Sequence, residues 1–196
     1  MSLDLRRRLM ATKPTDIIID ARKGGVSGDA ANDKALMEII YAQGWSKNPE
    51  YMTKREAKDV SYVREVFRGN TSITDFTAFK YFGVTKINAY DFFDCTNLKK
   101  IGISDSVLDI NDYTFNSGCL NLQYIDVDND NTYYESLSGI LYNKGKYEMI
   151  CIPKKLSGKI IIPETITSLR ARLFVGCVFE SIEIPDSVTF IGENCF

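Results

Sequence analysis

The chain repeats itself, and that repeat limits what it can fold into more than any other feature does. Val84–Cys95, Val107–Cys119, Ile166–Cys177 and Val188–Phe196 align with one another. Each opens on a β-branched apolar residue, places Ile or Leu three positions later and carries Phe near position nine; the first three end in Cys. The stretch that follows also recurs, as Asn97-Leu-Lys-Lys-Ile-Gly-Ile, Asn121-Leu-Gln-Tyr-Ile-Asp-Val and Phe179-Glu-Ser-Ile-Glu-Ile. The unit starts lie 23 residues apart (84 to 107) and 22 apart (166 to 188), whereas Val107 and Ile166 are 59 apart. One unit in that interval carries a long insertion or hides a degenerate repeat. A unit this short cannot bury an apolar face alone, so neighbouring units must stack.

The pattern inside each unit says how. Ile101/Ile103, Ile125/Val127 and Ile182/Ile184 alternate with polar residues, the period of a strand with one face inward. Strands of successive units stacked in register make a parallel sheet over a shared core. Phe93 and Phe115 are expected in that core. The recurring Cys is small and apolar and suits a tight inner corner, which predicts stacked, buried, reduced thiols.

These units resemble the BspA-like leucine-rich repeat family, common on the surfaces of gut and oral bacteria and some protists. The resemblance covers roughly Thr71 to Phe196. It implies a β-rich solenoid of α+β type, a right-handed stack of short parallel strands with a small helical N-terminal cap. It also implies a non-catalytic module for protein or glycan binding at a cell surface, in adhesion or host interaction. The stretch Ile125–Lys144 is similar to an insert that recurs in the family. Here Tyr142-Asn-Lys-Gly-Lys-Tyr147 supplies a turn between Ile140-Leu141 and Met149-Ile150-Cys151, so an insert with a hairpin is expected over about 126–160. The chain stops inside a unit, and the expectation is either a truncated product or a last coil that is exposed or capped by a partner.

The N-terminal part reads differently. We divide it into a flexible arm over 1–28 and a helical cap over 29–82, with the repeats at 83–196. Ile17–Ile19 suggest a short strand. A helix is expected near Asp29–Gln43, ended by Gly44. Thr53-Lys-Arg-Glu56 is a capping box opening a second helix through about Asp59. Tyr62, Val63, Val66 and Phe67 continue as helix or as a first strand. In the arm, Arg6-Arg7-Arg8 among Leu3, Leu5, Leu9 and Met10 reads as a docking arm or a frayed terminus. That leader resembles the starts of structural proteins in prophages of gut Bacteroidales, which gives the alternative of a particle or tail component.

Composition removes several functions. There is no histidine, hence no His-dependent triad and none of the commonest metal ligand. A net charge of −2 gives no bulk case for nucleic acid. No apolar run approaches a spanning helix, and no signal peptide is seen. Five cysteines without a C-x-x-C pair suggest neither zinc nor a disulfide framework.

Four candidate features remain. The family often carries an EF-hand-like loop before its repeats, and aligning Glu56 to its last position puts Trp45, Lys47 and Pro49 where oxygen ligands belong, so a metal-free loop is expected. Asp126, Asp128 and Asp130 have calcium-loop spacing, but Asn131 and Leu137 stand where Gly and Glu are needed, which favours a solvated turn. Gly24-Gly-Val-Ser-Gly28 lacks a phosphate-loop signature and reads as a flexible connector. Tyr133, Tyr134, Tyr142 and Tyr147 cluster around the insert. Aromatics with polar tips suit partner contact, and they equally suit covering the core below a hairpin. No catalytic, cofactor or metal residues are assigned.

Overall fold

The structure, a computed structural model, describes residues 16–111, 113–116 and 118–196. It begins with β1 (Ile17–Asp20), whose Ile18 and Ile19 are fully buried. Helix α1 (Ala30–Ala42) follows, with Asp29 accepting the N–H groups of Ala31 and Asn32 at 2.9 and 3.1 Å. That satisfies donors that an uncapped helix leaves orphaned. Gly44 ends it at φ 70°, where a side chain would be strained. β2 (Tyr51–Thr53) pairs antiparallel with β1 and leads into α2 (Lys54–Lys58), opened by the reciprocal Thr53–Glu56 capping box.

The segment expected to be a flexible arm through residue 28 is therefore folded from residue 16 on. The Gly24–Gly28 loop is no slack connector either. It wraps the buried Asp33 carboxylate, which accepts from the N–H groups of Asp20 (2.8 Å) and Gly25 (2.6 Å), from Ser27 Oγ and from Asn32 Nδ2. A charge out of water needs such donors. The basic leader over residues 1–15 lies outside the described residues.

The coils start before residue 83. β3 (Asp75–Phe76) is already the first strand of a parallel ladder, and a 3₁₀ helix (Thr77–Tyr81) follows it. Residues 62–67 form neither helix nor strand; a turn over residues 64–69 is equivalent to the turns of later coils. β4 (Lys86–Ile87) pairs with β6 (Asp109–Ile110), and β5 (Lys100–Ile103) lies between β3 and β7 (Tyr124–Val127), all in parallel. Phe76, Ile101 and Ile125 stand in one inward row, and each is essentially inaccessible.

Register places Phe92, not Phe93, in the core. Phe92 stands eight residues after Val84, as Phe115 stands after Val107, and both are buried. Phe93 points the other way and is half-buried, packed on Tyr90 at 5.7 Å. The cysteines do stack. Cys95 Sγ donates to Phe67 O at 3.0 Å and Cys119 Sγ to Phe92 O at 3.2 Å, one coil apart. All five thiols are free.

The interval from 107 to 166 holds an insert of three antiparallel strands, β8 (Tyr134–Leu137), β9 (Ile140–Asn143) and β10 (Met149–Cys151). Past it, β11 (Lys159–Ile161) pairs in parallel with β13 (Ser181–Glu183), and β12 (Ser168–Leu169) with β14 (Phe190–Ile191). The insert divides the interior into two apolar clusters. Leu141, Ile150 and Cys151 belong to the first and Ile140, Tyr142, Met149 and Ile152 to the second. In the last coil Ile182 is half-buried and Ile184, expected inward, is exposed.

Candidate interaction surface

The insert is anchored by a residue that the sequence reading gave to a solvated turn. Asn131 is buried, and its Nδ2 donates to Ser104 O (2.8 Å) and Val107 O (2.9 Å) of the previous coil. Its Oδ1 accepts the N–H groups of Tyr133 (2.8 Å) and Tyr134 (2.7 Å). One amide thus uses both ends to fix where the insert begins, at a depth where an unmet bond would be costly. The acidic residues beside it are engaged elsewhere. Asp126 pairs with Lys80 at 3.0 Å, and Asp128 Oδ1 accepts the Asp130 N–H at 3.0 Å. Burial works against the Lys80 ammonium, but the Asp126 bond and charge outweigh it and raise its pKa.

From Asn131 the chain runs into β8 and reverses at Ser138-Gly139, both left-handed at φ 52° and 82°, the geometry of a two-residue hairpin turn. A Cβ at Gly139 would lie 2.6 Å from the Tyr124 ring, so only glycine lets the turn lie against it. Gly139 O accepts the Ile125 N–H at 3.0 Å, so the hairpin covers the edge of β7 that a following coil would otherwise pair. Between β9 and β10, Glu135 accepts the Gly145 N–H (2.6 Å) and the Lys146 ammonium (2.8 Å). The Lys146 bond holds the Glu135 carboxyl below its usual range.

The four tyrosines of the insert part company. Tyr133 and Tyr147 are exposed, at 54% and 67%. Tyr134 is partly buried, and its hydroxyl accepts the Ile110 N–H at 3.0 Å, tying the insert to the coil before it. Tyr142 is inaccessible in the second cluster, and burial pushes its hydroxyl up to about 12. It therefore cannot touch a partner. β9 lies between two cores, so both of its faces are inside and the usual alternation fails.

A second aromatic surface was missed. Tyr90 and Tyr113 each stand three residues after the paired Ile87 and Ile110, and both are exposed. Arg68 lies over the Tyr90 and Phe93 rings at 4.9 and 5.6 Å, and Arg64 over Tyr62 at 4.1 Å. The signal was available in the sequence: Tyr90 and Tyr113 share position seven of their units. In the helix–loop–helix ahead of the coils, Glu56 takes the N–H groups of Lys47 and Thr53, each at 3.0 Å. Among the described residues no group of three or more Cys, Asp or Glu is placed to hold a metal ion.

The coils match a known repeat. The profile of the BspA type leucine-rich repeat region fits residues 62–158 and 154–196, in six copies. The chain belongs to that family. Among solved structures this BspA-type repeat protein is similar to a leucine-rich repeat protein from Eubacterium ventriosum, with 31% identity over 67% of this chain and 35% of that one, at a TM-score of 0.55. It shares its fold with the pneumococcal vaccine antigen PcpA, at 20% identity over 63% of this chain and 34% of that one, TM-score 0.50. A leucine-rich cell surface protein from Faecalibacterium prausnitzii aligns at 24% identity over 64% and 36% of the two chains, TM-score 0.48. The chain spans about a third of the length of these structures. No curated protein sequence matches it. Among the described residues no helix is long and apolar enough to cross a membrane.

Proposed function

We propose that the chain is a non-catalytic interaction module that holds a protein or glycan partner at a bacterial surface. The observation that carries this reading is the display of aromatic side chains on an interior that is already complete. Seven of the eleven tyrosines, Tyr41, Tyr62, Tyr90, Tyr113, Tyr124, Tyr133 and Tyr147, are exposed, while Phe and Ile rows fill the core beneath them. The core does not need those rings, and tyrosine is a residue type enriched where proteins meet. A stacked core is also rigid, so little order is lost when a partner binds. The chain has no histidine, and every buried polar side chain among the described residues is hydrogen-bonded, as Asp33, Asn131 and Asp91 illustrate. Family membership and the family's frequent surface location support the setting.

The test is a binding screen of the folded chain against glycan and extracellular-matrix protein arrays. Tyr133→Ala/Tyr147→Ala and Tyr90→Ala/Tyr113→Ala serve as paired surface variants. The expected result is a saturable partner lost in one of the two variants with melting temperature unchanged. A screen with no saturable partner would remove the reading. Turnover of any arrayed compound would remove its non-catalytic part.

A further inference from the structure

We propose that the turn ridge over the first three coils docks an acidic segment of a partner protein, with the Arg64 guanidinium as the carboxylate anchor. The proposal rests on the interaction-module reading and gives it a place and a partner chemistry. It begins with the backbone. Arg64 and Glu65 are both left-handed, at φ 43° and 60°, and neither is glycine. Two such residues in succession are disfavoured and persist only where the surroundings hold them. Here the hold is visible. The Glu65 N–H donates to Asp91 Oδ1 at 2.9 Å, and Asp91 is buried, its other oxygen accepting the Asn88 N–H at 2.7 Å. The strained turn sets the Arg64 guanidinium 4.1 Å from the centroid of the exposed Tyr62 ring.

Charge gives the second observation. Arg68, one turn on, is paired with Glu65 at 2.9 Å. Arg64 has no carboxylate within ion-pair reach among the described residues, and Glu65 is already engaged by Arg68. Asp94, another carboxylate of these turns, lies against Gly118. Arg64 is thus held by a ring and a fixed backbone, with its planar fork of donors open. That arrangement suits bidentate contact with a carboxylate, at reduced cost in side-chain order.

Continuity gives the third. From Arg64 and Arg68 the ridge runs on through Tyr90 and Phe93 to Tyr113 on the next coil, exposed at 68%. Arginine and tyrosine are both residue types enriched at the energetic centres of protein interfaces. A peptide fits better than a sugar, because guanidinium planes already cover one face each of Tyr62 and Tyr90, the surfaces a pyranose would stack on.

The test is fluorescence anisotropy of the whole chain with three probes: a labelled Glu-rich peptide containing Tyr, its Gln-for-Glu counterpart, and a labelled oligogalacturonate. Arg64→Gly is the informative variant, since glycine suits φ 43° and folding is not penalised. The Glu peptide is expected to bind with affinity that falls as salt rises. The Gln counterpart and Arg64→Gly should each bind about tenfold more weakly. Tyr133→Ala/Tyr147→Ala should bind as the parent. Equal binding of the Glu and Gln peptides, full binding by Arg64→Gly, or no peptide binding would overturn the proposal. Oligogalacturonate bound through Arg64 in place of the peptide would overturn the partner class. Each of these outcomes leaves the module reading standing, because that reading fails only if the array screen finds no partner at any surface.

Discussion

The Phe67 and Phe92 rings lie 5.6 Å apart with planes only 6° from parallel, and Phe115 extends the row at 5.8 Å from Phe92. One ring per coil therefore fills the same place in three successive coils, and the row starts well before residue 83. Phe92→Ala should cost about 3–5 kcal/mol by opening a cavity in that row. Phe93→Ala, on a half-buried surface ring, should cost under about 1 kcal/mol. Urea melts of the two variants check the register, and equal losses would refute it.

Asn32 closes the first coil. Its Oδ1 accepts the N–H groups of Thr74 (2.8 Å) and Asp75 (2.9 Å), and its Nδ2 donates to Asp75 O (2.7 Å). It thereby takes the partners that a preceding strand would take on the outer edge of β3. Asn32→Ala leaves those groups unmet at a site only 4% exposed and should cost about 3 kcal/mol. Hydrogen exchange at Thr74 and Asp75 should rise in the variant. Unchanged protection there would show that the cap does not need this side chain.

Stability should fall at both ends of the pH scale. Burial works to raise the Asp20 carboxyl, but the Arg22 hydrogen bond and charge prevail and lower it; Lys58 lowers Asp105, and Lys146 lowers Glu135. A carboxyl with a depressed folded pKa stabilises above its unfolded value and loses that as pH falls through the folded one. Acid loss should therefore start below 4.5 for Glu135 and below 3.8 for the two aspartates. Burial pushes Cys95 up to about 11 and Cys151 and Tyr142 up to about 12. Their contribution is intact below the ordinary thiol value of 9.0 and is lost as pH climbs towards 12. Thermal melts across pH should show both flanks, and a flat alkaline side would contradict the burial of these groups.

Thiol labelling should separate the cysteines. Cys177 is only half-buried, whereas Cys95, Cys119 and Cys151 are enclosed and raised by burial. A thiolate-directed reagent at pH 8 should modify Cys177 well before those three, which should react only on unfolding. Labelling of Cys119 in the native protein would break the picture of an inner thiol row.

The repeat was legible because its apolar marks recur at fixed spacing, and Val84, Val107, Ile166 and Val188 do open equivalent segments. Two errors have local causes. Phe92 and Phe93 are adjacent, and only a strict count, eight residues on from Val84 as Phe115 is from Val107, chooses Phe92. The first coil was hidden because Asn70 stands where Cys95 and Cys119 stand in the next two, and Glu65 where Tyr90 and Tyr113 stand. Ser138-Gly139 is a hairpin-turn dipeptide that went unread. Asn131 sits in an acidic run whose composition suggests solvent, and only the coil stacked beside it shows that its amide is inside. Of the insert tyrosines, exposure of Tyr133 and Tyr147 could not be told from burial of Tyr142, because a strand between two cores loses its period of two.

The partition at β9 gives the molecule a mechanical seam. Within each pile neighbouring coils are joined by backbone ladders, but among the described residues no strand of the first pile pairs with one of the second. Tension along the axis crosses there through interleaved side chains and scattered bonds such as Lys155 N–H to Leu122 O. Stretched from its two ends, the chain should yield first at the insert, parting into two pieces that each keep their own ladders.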